Sequence, residues 1–140
     1  MGRFPVSVKG VVLNGESVVL LRNGRGEWEL PGGRLEAGED PEECVVREVR
    51  EELGLDVEVG TLLDAWVYEP LPEERVLVLA YGCLLPGRVG RMAYSAEHTA
   101  LGSFRVDGLE EIDLPAGYAR AVRAWAGTRS VRAAPGPDDA

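Results

Sequence analysis

Three glutamates carry the strongest chemical signal in the chain. Glu48, Glu51 and Glu52 fall at i, i+3 and i+4, so on a helix they share one face. The residues around them predict that helix. Asp40 can cap it, Pro41 suits the first helical position, and Glu43 can close a capping box. Gly54 is the natural stop. Val45, Val49 and Leu53 recur every four residues and form an apolar stripe beside the glutamates. At least part of the acidic face should therefore sit near a sheet. Three carboxylates this close repel one another, and partial burial raises the cost of keeping them charged. A divalent cation removes that problem. Hard oxygen ligands with few nitrogens or sulfurs nearby point to Mg2+ or Mn2+ rather than zinc.

Glutamate-rich helices are common, and taken alone such a face is usually just solvated. The longer spacing decides the matter. Gly33 is followed by five residues, Glu39, seven residues, Arg47-Glu48, the aliphatic Val49, one residue, Glu51-Glu52, one residue, Gly54 and the aliphatic Leu55. This stretch resembles the Nudix box at every fixed position. At typical frequencies of ~7% per residue type, seven fixed identities coincide by chance with a probability on the order of 10⁻⁸. The resemblance is most specific over Gly33 to Leu55. It extends more loosely through Trp28 to Gly33, and over Glu97-His98 to Pro115, where Glu110-Glu111 and Asp113-Leu114-Pro115 echo a frequent family segment.

The resemblance implies an activity. Nudix enzymes hydrolyse a nucleoside diphosphate linked to a further group X. Water attacks one phosphorus of the pyrophosphate and a nucleoside monophosphate is a usual product. Pyrophosphate is densely anionic, so a nest of carboxylates can meet it only through cations. A metal ion neutralises charge, orients phosphates and lowers the pKa of bound water.

It also implies roles by position. Glu51 and Glu52 match the family's main metal ligands, and Glu48 a third carboxylate that binds metal or acts as base. The carbonyl at the position of Gly32 commonly helps hold the metal. Arg47 matches an arginine that orients a neighbouring glutamate, a task suited to a bidentate pair. Glu39 is a supporting residue. A further base often comes from a loop outside the box, and Glu97 in Tyr94-Ser-Ala-Glu97-His98 is the best candidate. Glu69, Glu73 and Glu74 are weaker rivals for that role. His98, the only histidine, reads as structural or exposed. Arg22, Arg34 or Lys9 could meet phosphates. Trp28 or Tyr68 could stack on a base. Each of these is equally at home as a surface charge or a core ring, and X and the nucleobase are read outside the box.

The elements that must position these groups follow from pattern. Val6 to Leu13 and Ser17 to Leu21 are apolar and β-branched, with an Asn14-Gly15 hairpin between them. Trp28-Glu29-Leu30 reads as a short strand that Pro31-Gly32-Gly33 breaks. Asp56 to Tyr68 is strand-like, Glu69 to Glu74 a loop, and Arg75 to Leu85 a long apolar strand. Ala100 to Val106 is a further candidate strand. Pro115 to Trp125 predicts a second helix with Tyr118, Val122 and Trp125 on one face. Arg129 to Ala140 has little periodicity and reads as a mobile tail. The expectation is a Nudix-type α/β/α sandwich with a central mixed β-sheet over residues 1–128, followed by a tail at 129–140.

Composition bounds the rest. The chain has 140 residues, 45% of them apolar, enough for one domain with a real core. Net charge is −9, which disfavours a nucleic-acid partner. Cys44 and Cys83 look like reduced, core-type residues and fit a cytoplasmic home. No apolar run of about 18 residues occurs, so no membrane span is expected, and the start of the chain lacks a secretory apolar region. No Gly-x4-Gly-Lys-Ser/Thr occurs, which excludes a P-loop of the usual form. A small nucleotide is the expected partner, and a homodimer is compatible with the family resemblance. The competing reading is a Nudix-fold nucleotide sensor that has lost turnover. Loss of a box glutamate would favour it, and none is lost.

Overall fold

The computed structural model describes residues 3–86 and 100–133. Glu97 and His98, and with them the expected loop base, lie outside the described residues, as does 134–140. Among the described residues seven strands form one mixed sheet. They are β1 (Val6–Asn14), β2 (Ser17–Arg22), β3 (Trp28–Glu29), β4 (Gly32–Arg34), β5 (Glu58–Leu71), β6 (Glu74–Leu84) and β7 (Ala100–Arg105). Helix α1 (Pro41–Leu53) follows β4, and α2 (Ala116–Ala133) follows a 3-10 turn at Val106–Glu111.

Strand β1 is the spine. It runs parallel to β6, with Val6 opposite Leu77 through Val12 opposite Cys83. Its other edge pairs antiparallel with β4 at one end and with β2 at the other. Successive side chains of a strand point to opposite faces, and β1 is buried on both. Val8 and Val12 join Val45, Val49 and Leu53 of α1 in one core. Val11 joins Tyr118, Val122 and Trp125 of α2 in the other. These α1 and α2 residues are almost wholly removed from water, and each aliphatic among them contributes about 1.5–3 kcal/mol. The result is the expected α/β/α sandwich.

Helix α1 begins and ends where its residues direct. The Glu43 carboxylate accepts the Asp40 N–H at 2.9 Å. Gly54 closes the helix in the left-handed region at φ 70°, donating to the Arg50 carbonyl at 2.9 Å.

Three boundaries differ from the sequence expectation. Pro31-Gly32-Gly33 does not simply break the chain, because Gly32–Arg34 forms β4 on β1. Glycines have low strand propensity, and it is the partner's backbone that holds them extended. The loop expected over Glu69 to Glu74 shrinks to a turn, since β5 reaches Leu71 and β6 starts at Glu74. Helix α2 continues to Ala133, past the expected tail boundary at Arg129. Its apolar stripe ends near Trp125, and the helix runs on through a segment of mixed propensity, Ala126 to Ala133, that the stripe does not mark.

Candidate active site

The start of β1, strand β4 and the inner side of α1 meet at one place. Pairing sets Gly33 opposite Val8 and Gly32 opposite Lys9, and α1 packs over β4. Glu52 is buried there, 4% exposed, and its Oε1 accepts the Gly32 N–H at 3.1 Å. Burial pushes its carboxyl up to about 8. The nearby Lys9 charge opposes that rise, while the hydrogen bond and charge of Glu48 add to it.

Glu48 lies directly over Gly33. A Cβ at that position would come within 2.6 Å of its carboxylate, so only glycine lets the acid rest on the strand. Lys9 is buried as well, with Nζ 3.5 Å from the Gly32 carbonyl oxygen and 5.9 Å from the centre of the Tyr118 ring.

Arg47 organises the outer side. Its Nε and Nη2 donate to the two oxygens of Glu39 at 2.7 and 3.0 Å. Nη1 donates to Glu48 at 2.9 Å and to Glu51 at 3.2 Å, and Nη2 also reaches the Arg34 carbonyl at 3.3 Å. The guanidinium beside Glu39 holds that carboxyl at about 2, well below the usual range. The Cys44 thiol lies under this network, 3.5 Å from the Arg34 carbonyl. Burial pushes it up to about 12, which leaves it an unreactive thiol.

The donor set of Glu48, Glu51, Glu52 and the Gly32 carbonyl is all oxygen, and the burial of Glu52 beside Glu48 disfavours its charge. That chemistry fits a hard divalent cation. Among the described residues, however, no three His, Cys, Asp or Glu side chains already converge on a metal-sized point. Arg47 Nη1 stands between Glu48 and Glu51, and Glu51 is the most exposed of the three, at 58%.

The other sequence candidates lie elsewhere. Arg22 braces its own loop, donating to the Gly26 carbonyl at 3.3 Å and lying 6.0 Å from the Trp28 ring centre. Trp28 meets Phe104 edge-on at 4.6 Å. Tyr68 tilts against Tyr118 at 5.7 Å. Arg34 alternates with Gly33 and faces away from Glu48. Glu69 lies near the end of β5 and Glu73 in the turn to β6, where the Glu73 N–H donates to Glu69 at 3.1 Å. Tyr118 was legible only as a core residue of α2. Its nearness to Lys9 depends on two segments far apart in the sequence.

Comparison with known proteins agrees with this architecture. The chain belongs to the Nudix family of hydrolases: the family's NUDIX domain matches residues 3–125. A MutT-like protein from Streptomyces ambofaciens is 41% identical over 108 residues, 76% of this chain and 67% of that protein. An 8-oxo-dGTP diphosphatase from Proteus vulgaris is 50% identical over 44 residues, 31% of this chain and 39% of that protein, so less than half of that relative is matched. Among solved structures, a MutT protein from Methanosarcina mazei Go1 superposes with a TM-score of 0.75 at 25% identity, covering 90% of this chain and 95% of that one. Nudix hydrolases generally use divalent metal ions. No helix among the described residues is long and apolar enough to cross a membrane.

Proposed function

We propose that this protein hydrolyses the pyrophosphate bond of a small nucleoside diphosphate derivative in a Mg2+-dependent reaction. Water attacks one phosphorus, and the products are a nucleoside monophosphate and either phosphorylated X or pyrophosphate. The observation that carries the reading is Glu52, buried against the Gly32 N–H beside the Glu48 carboxylate. Burying one acid beside a second is costly unless a cation is to be shared between them.

Glu48, Glu51, Glu52 and the Gly32 carbonyl would hold the ion. When bound, Mg2+ or Mn2+ supplies charge neutralisation and an acidified water. Glu48, or Glu97, takes the proton of the attacking water. A well-placed base is worth roughly 10²- to 10⁴-fold in rate. Arg47 orients Glu48 and Glu51, and its grip on Glu39 fixes the guanidinium. Lys9, on the α2 face of β1, brings its Nζ to the Gly32 carbonyl at the edge of the site, where it suits a substrate phosphate. The 8-oxo-dGTP diphosphatase relative supports nucleoside triphosphates as the substrate class. The two free, buried thiols fit a cytoplasmic setting.

A hydrolysis screen tests this. It would cover nucleoside triphosphates, 8-oxo-dGTP, nucleotide sugars, dinucleoside polyphosphates and ADP-ribose, each with Mg2+, Mn2+ or EDTA. Metal-dependent turnover of one class is expected. Binding without turnover of any would support the sensor reading instead.

A further inference from the structure

Three of the fourteen arginines line one cavity, away from the face of β4 that carries Glu48. The cavity, about 490 Å3, opens where β1 and β6 begin and is lined by Arg3, Phe4, Arg34, Glu73, Glu74 and Arg75. The parallel register of β1 and β6 sets residues 3–5 beside 74–76. Ser7 opposite Arg34 brings in the third arginine. Arg75 lies 5.2 Å from the Phe4 ring centre and 4.0 Å from Glu69. Arg3 and Arg34 have no ion-pair partner among the described residues. Gly33 faces α1, so its neighbour Arg34 faces the α2 side of the sheet. Lys9 shares that face of β1 with Ser7, about 7 Å along the strand.

We propose that this cavity binds a phosphorylated sugar or polyol. Arginine's planar fork of donors matches a phosphate, and three arginines line this one cavity. Two carboxylates in the same wall disfavour a bare anion. They suit a ligand that also carries hydroxyl groups, whose hydrogens Glu73 and Glu74 accept. Phe4, 47% exposed, offers an apolar surface to the C–H face of a sugar ring. The Glu73 N–H donates to Glu69 in a left-handed turn at φ 69°, which sets where the Glu73 side chain leaves the backbone. The proposal stands on the cavity alone and does not rest on the hydrolase reading.

Calorimetric titration of the full chain in EDTA tests it, with ribose 5-phosphate, inorganic phosphate and ribose as probes. Ribose 5-phosphate is expected to bind roughly fivefold or more tightly than either of the others. Arg75→Gln and Arg3→Gln should each weaken it by roughly fivefold or more. Glu74→Gln should erase the preference over inorganic phosphate, and Glu52→Gln should leave binding intact. Melting temperatures without ligand check that each variant is folded. ADP-ribose identifies the source of the group. If Arg75→Gln weakens it too, the cavity seats the sugar-phosphate end of a larger ligand. If ADP-ribose binding is unchanged, the small molecule binds by itself. The proposal is overturned by no binding of ribose 5-phosphate, by unchanged affinity in both arginine variants, or by loss of binding in Glu52→Gln.

Discussion

Arg47 grips Glu39 with both arms, at 2.7 and 3.0 Å, and the same guanidinium reaches Glu48 and Glu51. Glu39, two residues ahead of α1, and the acids upon the helix are thus fixed relative to one another through one planar group. A lysine keeps the charge but cannot make the fork. Arg47→Lys is expected to lower kcat/KM by roughly tenfold or more while shifting the melting temperature little. Equal activity in the two proteins would show that the grip does not position Glu48 or Glu51.

Gly33 tests whether Glu48 must rest on β4. In Gly33→Ala the new Cβ would press on the Glu48 carboxylate, which can swing away as the free end of a side chain. The expected result is a split: stability falls by no more than about 1–3 kcal/mol, while turnover falls far more. Paired melting and rate measurements check it.

Glu52 sets a pH dependence with a definite sign. Its folded carboxyl is raised to about 8 from an ordinary 4.5. Between those values the folded state holds a proton that the unfolded state has lost. Stability therefore falls as pH rises through that window, and the cost is complete above pH 8. In EDTA, Glu52→Gln should melt above the wild type at pH 8.5, with the gap closing toward pH 5. A gap independent of pH would remove burial as the cause.

Trp125 anchors α2. It is 1% exposed, donates to the Cys83 carbonyl at 3.3 Å and lies against Gly82, where a Cβ would meet its ring at 2.3 Å. Trp125→Ala is expected to cost about 3–5 kcal/mol. Removing residues 129–140 should cost less than about 0.5 kcal/mol. Denaturant unfolding of the two variants checks both, and a large cost for the truncation would place the domain boundary further along the chain.

Pattern made α1, β1, β2, β6 and the inner face of α2 legible: β1 and β2 as continuous apolar runs, β6 by alternation, and the helices by apolar residues three or four apart. It could not show β4, whose glycines carry no pattern and are held extended by β1. It also lost the end of α2, which continues after the apolar stripe stops. The three glutamates and Arg47 were legible because one helix spaces them. The contact between Glu52 and Gly32 was not, since it crosses 20 positions and depends on how α1 docks. The arginine cavity was hidden for the same reason: Arg3, Arg34 and Arg75 come from three separate segments that only the sheet register joins.

The most direct test of the central claim is the single-turnover rate of wild type and Glu52→Gln on the best substrate of the screen, in Mg2+ and in EDTA. The account expects fast cleavage by the wild type in Mg2+, little in EDTA, and a rate at least roughly 10²-fold lower for the folded variant in Mg2+. Cleavage by Glu52→Gln at the wild-type rate, or wild-type cleavage undiminished by EDTA, would contradict it.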